Sequence, residues 1–303
     1  MAKITGIDVS EAQGAVNWTV TRQHAAFVYI KASQGASLVD PNLKANWEGA
    51  GEVGLPRGLV HVFHPLDLKD WKQQLESILS LVVKFPCEMP TVLDLQSDGG
   101  LRKSEMDNIG AKFIKRYAEN VGEELIIRTN GPFFDKNLPL TDWAKHRKLW
   151  VVDISEAKDP VVPREWSRRK PPWVLWQYSG RENALGAAYG LSSRYVELTR
   201  FFGDKKRFNR LFGVMVTTVE PPKPGERPPQ PVSRDAIQFF VDADSVDVHI
   251  SPGTHFPKVG ELEKGDRVAL LDMSAEGDVW IQIADGKWVA WKIDGKRKLR
   301  RDR

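Results

Sequence analysis

Thr91-Val92-Leu93-Asp94-Leu95-Gln96 is the stretch on which the fold turns. Apolar residues lead into an aspartate, and a second polar side chain follows two positions later. Residues two apart in a strand face the same way, so Asp94 and Gln96 are expected to point together from one strand end. An aspartate is costly inside a core unless paired or solvated. That places this strand end at an opening.

The pattern recurs on both sides. Apolar strand-like runs occupy 4–8, 26–32, 57–63, 91–95, 124–128, 149–154 and 174–178. Asp8 ends the first, Gln34 follows the second, and His61 and His64 flank the end of the third. Asp153 ends the sixth and Gln177 the seventh. Helical spacing appears between several of these runs. Trp71, Leu75, Ile78, Leu79 and Val82 recur along 67–84, and Met106, Ile109, Phe113, Ile114 and Tyr117 along 104–119. Strand–helix alternation of this length predicts an α/β domain with a parallel sheet, closed as a barrel or open. In a β/α barrel the C-terminal strand ends converge on the active site. Capping or turn formation explains any one of these polar residues alone; their repetition at successive strand ends argues for a shared site.

Pro221, Pro222, Pro224, Pro228, Pro229 and Pro231 crowd the stretch 219–232. Such density blocks helix and sheet pairing and predicts an extended spacer. It divides the chain into a domain at 1–218 and a smaller one at 233–303 with a basic tail. Short strands at 246–250, 267–272, 279–283 and 287–293, separated by Ser251-Pro252-Gly253, Lys264-Gly265-Asp266 and Asp285-Gly286, predict a small all-β barrel.

The 303 residues are 41% hydrophobic and 28% charged, as in soluble globular proteins. No apolar run reaches the ~18 residues of a membrane span. Met1 to Ser10 lacks the features of an export signal, so synthesis in a cytoplasm is expected, followed by action in a virion or at a bacterial wall if the source is a phage. The single cysteine, Cys87, excludes an internal disulfide; its place between Pro86 and Pro90 fits a semi-buried small residue better than a nucleophile. Net charge is +4, with basic clusters in 164–170, 205–210 and 292–303. These lack interleaved stacking aromatics and read as solvated surface, so nucleic acid is not the expected partner. No Cys/His cluster and no glycine-rich phosphate loop occurs, and no metal or cofactor is expected.

A set of motifs then resembles one family. Gly6-Ile7-Asp8-Val9-Ser10 with Asn17-Trp18 is similar to the opening of the family-25 glycoside hydrolases, the Chalaropsis-type lysozymes. The stretch 27–35 with Asp40-Pro41 and Asn46 resembles their second strand, and 58–63 their third. Thr91 to Gln96 sits where the family has an Asp-x-Glu signature. Trp176-Gln177-Tyr178-Ser179 and 196–201 resemble later hallmarks, so the likeness spans nearly all of 4–202.

The resemblance implies an irregular β/α (TIM-like) barrel with a groove for bacterial glycan, and hydrolysis of the β-1,4 bond after N-acetylmuramic acid. It implies catalytic positions at Asp8, Asp94, Gln96 and Glu197, and substrate-binding positions at Gln34, His61, Asp153, Trp176, Gln177 and Tyr178. The departures carry as much weight. Gln96 replaces the expected proton donor, and an amide has no proton to give. Losing a positioned general acid costs roughly 10²–10⁴-fold in rate. Gln34 replaces a second glutamate, Glu197 stands where aspartate is usual, and Val60, Arg128 and Ile154 replace groove tyrosines. Asp98 is a poor substitute acid, being short and set in a turn. The expected function is peptidoglycan recognition with hydrolysis impaired or lost. The alternatives are an active N-acetylmuramidase (an endolysin or virion-associated lysozyme) and a structural virion or baseplate component. The carboxy-terminal segment, through Val246-Asp247-Val248-His249, Trp280 and Trp288-Val289-Ala290-Trp291, resembles bacterial SH3-like modules, which implies docking to cell-wall peptide or to a virion protein.

Overall fold

The computed structural model describes residues 4–66, 68–122, 124–138, 141–155, 157–180, 183–216, 219, 238–250, 252–269, 272–274, 278–284, 287–293 and 296–301. The chain divides into two compact units, Met1–Arg227 and Pro228–Arg303. The proline-rich stretch expected as a spacer lies, apart from residue 219, outside the described residues.

Among its described residues the first unit has nine strands: β1 (Thr5–Val9), β2 (Val28–Gln34), β3 (Leu38–Val39), β4 (Arg57–Val62), β5 (Val92–Asp94), β6 (Ile126–Thr129), β7 (Lys148–Val152), β8 (Leu175–Ser179) and β9 (Glu197–Phe201). Their order is β1-β9-β8-β7-β6-β5-β4-β2-β3, and β1 also pairs with β2, so eight strands close into a barrel while β3 hangs from β2 as a hairpin. The eight barrel strands are parallel except at β9, which runs antiparallel to both β8 and β1, and the appended β3 is antiparallel to β2. Seven α-helices among the described residues accompany it: α1 (Trp18–His24), α2 (Leu43–Glu52), α3 (Trp71–Lys84), α4 (Lys103–Val121), α5 (Gly131–Asn137), α6 (Arg164–Ser167) and α7 (Lys205–Phe212).

The two-residue period sorts the side chains into two cores. Val92 faces into the barrel with Tyr29, Val60, Ile126 and Trp150. Leu93 faces outward, against the helices, with Ile30, Leu59, Ile127 and Val151. Glycine is required at two inward positions. A Cβ at Gly6 would lie 2.4 Å from the Phe27 ring, and one at Gly58 2.2 Å from the Tyr29 ring, so these gaps let large rings lie across the interior. Below them, Phe208 and Phe212 of α7 pack on Phe27 and Phe201 and stopper the barrel floor.

Helix α3 starts at Trp71, later than expected. It buries Gln74, Leu75, Ile78 and Leu81, while Leu79 and Val82 are only partly covered. Helix α4 buries all five residues of its expected stripe and ends where Gly122 takes the left-handed conformation. No helix among the described residues is long and apolar enough to cross a membrane.

The second unit is all β. Its antiparallel ladders pair Gln238–Val241 with Arg267–Ala269 and Leu299–Arg301, and run through Lys258–Glu263, Ser245–His249, Lys287–Ile293 and Val279–Ala284. A small core holds Phe239, Val241, Val248, Ile281, Val289 and Leu299, with Trp291 packed against it. Trp280 is buried and Trp288 half-buried. The strands Gln238–Val241, Lys258–Glu263, Lys296–Arg297 and Leu299–Arg301 were not legible in the sequence: the last three carry charge on their exposed faces, and the first is a four-residue run with no apolar–polar alternation.

Candidate active site

At the C-terminal ends of the parallel strands the inward positions turn polar. Asp8 lies directly opposite Glu197 in the β1–β9 register. Because β9 runs the other way, its first residue, not its last, arrives at the mouth. Asp94 faces Arg128 across β5 and β6, and Gln177 enters from β8.

Arg128 ties these together. Its Nη1 pairs with Asp94 Oδ2, and its Nη2 donates to Gln177 Oε1 while lying 3.7 Å from Asp8 Oδ1. The guanidinium carbon sits 5.0 Å from the centre of the Trp150 ring. The Arg128 side chain is only 11% exposed and that of Asp94 5%. Asp8, Asp94 and Glu197 together hold the Arg128 proton more firmly than in water, against the opposing effect of burial.

Gln96 Nε2 donates to Asp94 Oδ1 at 2.8 Å, and Gln96 Oε1 accepts from Asn130 Nδ2 at 3.4 Å. A carboxylate accepts only, so this amide reproduces the bond a protonated glutamic acid would make there. It cannot release the proton it shows.

Asp8 keeps a proton far more readily than an ordinary carboxyl. Burial is the largest cause, and the neighbouring Glu197 adds to it; Arg128 opposes both. Asp8 Oδ2 is buried with no donor, and the Glu197 carboxyl beside it disfavours a charge on Asp8. The folded state therefore binds more protons here than the unfolded chain, and stability falls as pH rises from about 4 through the raised pKa. Asp8→Asn should lift the melting temperature by about 2 °C or more at pH 8 and leave it unchanged at pH 4, as read by calorimetry.

Asp8, Ser10, Lys31, Val60, Val62, Arg128 and Glu197 line a pocket of about 90 Å³, far below the ~300–1,000 Å³ of ordinary ligand sites. At the ends of β6 and β7 lies a wider hollow of about 400 Å³, lined by Asn130, Pro132, Val152, Asp153, Ile154 and Val161. Asp153 shapes it: its carboxylate accepts from the backbone N–H of Ser155 and Val161 at 3.0 and 2.8 Å. Burial works against the charge, but these bonds outweigh it and hold the carboxyl below its usual range.

Three other expected site residues point elsewhere. His61 faces outward under the helices, where Nδ1 meets Ser33 Oγ at 2.9 Å, Nε2 meets Gln74 Oε1 at 3.3 Å, and the ring stacks on Phe113. Burial pulls its pKa down to about 4. The unfolded chain takes up this proton first, so stability drops as pH falls from about 6.5 towards 4. Between pH 7 and 5 the loss from this group is about 2 kcal/mol, and His61→Leu should flatten that part of a urea-denaturation profile. Trp176 and Tyr178 also face outward, where Arg200 stacks on both at 5.3 and 4.6 Å; Trp176 Nε1 donates to the Asp153 carbonyl at 2.8 Å. Gln34 ends β2, half-buried, beside Leu38 and Val62. Burial pushes the Cys87 thiol up to about 12, which removes it as a nucleophile.

A family model described as Glycosyl hydrolases family 25 matches residues 7–187. The chain belongs to this family. Among the relatives of this chain, lysozyme M1 of Streptomyces globisporus is 28% identical over 217 residues, covering 67% of this chain and 69% of that protein. The solved bacterial lysozyme of Streptomyces coelicolor superposes with a TM-score of 0.59 at 26% identity, covering 70% of this chain and 98% of that one. The uncharacterized protein YegX of Escherichia coli K12 is also 28% identical, over 194 residues, and this chain spans 65% of its length. The family 25 mouth thus holds Asp8, Asp94, Gln96, Gln177 and Glu197 together. Arg128 and Lys31 join them. The sequence marked Arg128 only as a departure and passed over Lys31, although Lys31 shares the inward parity of Tyr29.

Proposed function

We propose that the chain recognises peptidoglycan glycan strands through its family 25 barrel, with hydrolysis lost or strongly reduced. The observation that carries this is the Gln96–Asp94–Arg128 arrangement. The proton donor's place holds an amide already bonded to Asp94, and an arginine neutralises the same aspartate from its other side. General acid catalysis needs a transferable proton within hydrogen-bond reach of the leaving oxygen, and Gln96 offers none. The carboxy-terminal unit is proposed as the SH3-like docking module expected from its sequence, and a phage or virion setting as its context.

The test is paired. Purified murein sacculi should pull the chain down in sedimentation while releasing no soluble muropeptides above background. Clearing of sacculi at the rate of an ordinary lysozyme would sink the proposal. A second reading, slow hydrolysis using the proton that Asp8 retains beside Glu197, is favoured by the raised Asp8 pKa. It requires that any residual release disappear in Asp8→Asn.

A further inference from the structure

The basic residues of the carboxy-terminal unit were expected to be plain solvated surface, without aromatics among them. The fold changes that picture. In the sheet formed by Gln238–Val241, Arg267–Ala269 and Leu299–Arg301, Phe240 is paired in register with Arg267 on one side and Arg300 on the other. Phe239 and Val241 point into the core, so Phe240 points out, and both guanidinium groups lie over its ring, at 4.7 and 5.6 Å from the centroid. Neighbouring strands are ~4.8 Å apart, which sets the two arginine backbones roughly 10 Å from each other with one aromatic between them.

Both arginines are exposed. The ion pairs of this unit join Lys258 to Asp247 and Glu261, and Lys264 to Asp244; none among the described residues reaches Arg267 or Arg300. A second basic pair follows the same logic. Lys292 and Arg297 stand directly opposite each other across the Lys287–Ile293 and Lys296–Arg297 strands, both exposed and without an acidic partner among the described residues. Like charges in direct register destabilise a sheet. A solvated surface has no need of that arrangement, whereas an anion that neutralises both charges turns the cost into affinity.

We propose that the Arg267–Phe240–Arg300 row, with the Lys292–Arg297 pair as a second contact, binds an anionic wall polymer of phosphodiester-linked polyols. Charge complementarity selects a polyanion. The aromatic selects against nucleic acid: readers of single strands leave ring faces free for bases to stack on, and here Arg267 and Arg300 approach the Phe240 ring from its two flanking strands. The ring serves to hold the guanidinium planes in place. The choice of a wall polymer rests on the wall-directed reading above.

The probe is purified poly(glycerol phosphate), titrated into the full chain at 50 and 200 mM salt. Four phosphate contacts imply a slope of roughly −2.8 in log affinity against log salt, or about 50-fold weaker binding at the higher salt. Arg267→Gln/Arg300→Gln should weaken binding at least about tenfold and halve that slope, with no change in melting temperature. Should that variant misfold, Lys292→Gln/Arg297→Gln supplies the same readout, since it removes a repulsion. Unchanged affinity in both double variants would overturn the proposal. So would tighter binding to a single-stranded DNA of equal charge than to poly(glycerol phosphate). Polymer binding without retention on phosphate-stripped sacculi would defeat the glycan reading of the barrel and leave this one standing. Retention without polymer binding would do the reverse.

Discussion

Gln96→Glu alone should leave murein hydrolysis by this chain at least about 100-fold below that of a lysozyme with glutamate at the same strand end, out of a deficit of roughly 10²–10⁴-fold. A restored glutamate must hold its proton near neutral pH to act as an acid. The usual means is a like charge beside it, and Asp94, 2.8 Å from the Gln96 amide, would supply one. Arg128 is paired with that aspartate and cancels the effect, so the new carboxyl would ionise. The pocket of about 90 Å³ beside Arg128 also leaves little room for a sugar ring. Gln96→Glu/Arg128→Tyr removes the neutralising charge and should exceed Gln96→Glu by about tenfold or more in released reducing ends, assayed at a temperature where both variants stay folded. Full recovery by Gln96→Glu alone would show that Arg128 swings clear of the mouth.

Arg128→Ala should be the most damaging single change to the fold near the mouth. Removing one partner of a buried ion pair leaves the other charge uncompensated and costs about 3–5 kcal/mol. Here it abandons Asp94 and deprives Asp8 and Gln177 of their shared cation. For a domain of this size the fall in melting temperature is about 6–12 °C at the lower end of that range. Arg128→Met/Asp94→Asn, which removes both charges, should recover much of the loss. A drop below 2 °C for Arg128→Ala, measured by calorimetry at pH 7, would mean that water compensates the aspartates and that the arginine is no lock.

The barrel was legible because its inward and outward residues obey the two-residue period, and because Asp8, Asp94 and Gln177 fall on the inward parity at strand ends. The same rule explains what went astray. His61 sits one residue from the inward Val60 and Val62, and Trp176 and Tyr178 one residue either side of the inward Gln177. A single step along a strand reverses the face, so motif resemblance gathered residues that parity would have separated. The direction of β9, and with it the arrival of Glu197 opposite Asp8, depends on a pairing between the two ends of a 200-residue segment. The Arg128 clasp depends on which strand lies beside β5. Neither is a local property of the chain.

The stretch by which the family is recognised ends at residue 187, ten positions before the strand that completes the ring begins. A gene product cut at that point would keep every hallmark up to the Trp-Gln-Tyr motif yet leave the flanks of β1 and β8 as bare, sticky seams, with the phenylalanine bung of α7 gone as well. Such a fragment should precipitate on expression. The smallest soluble form of this barrel therefore has to reach past Phe212.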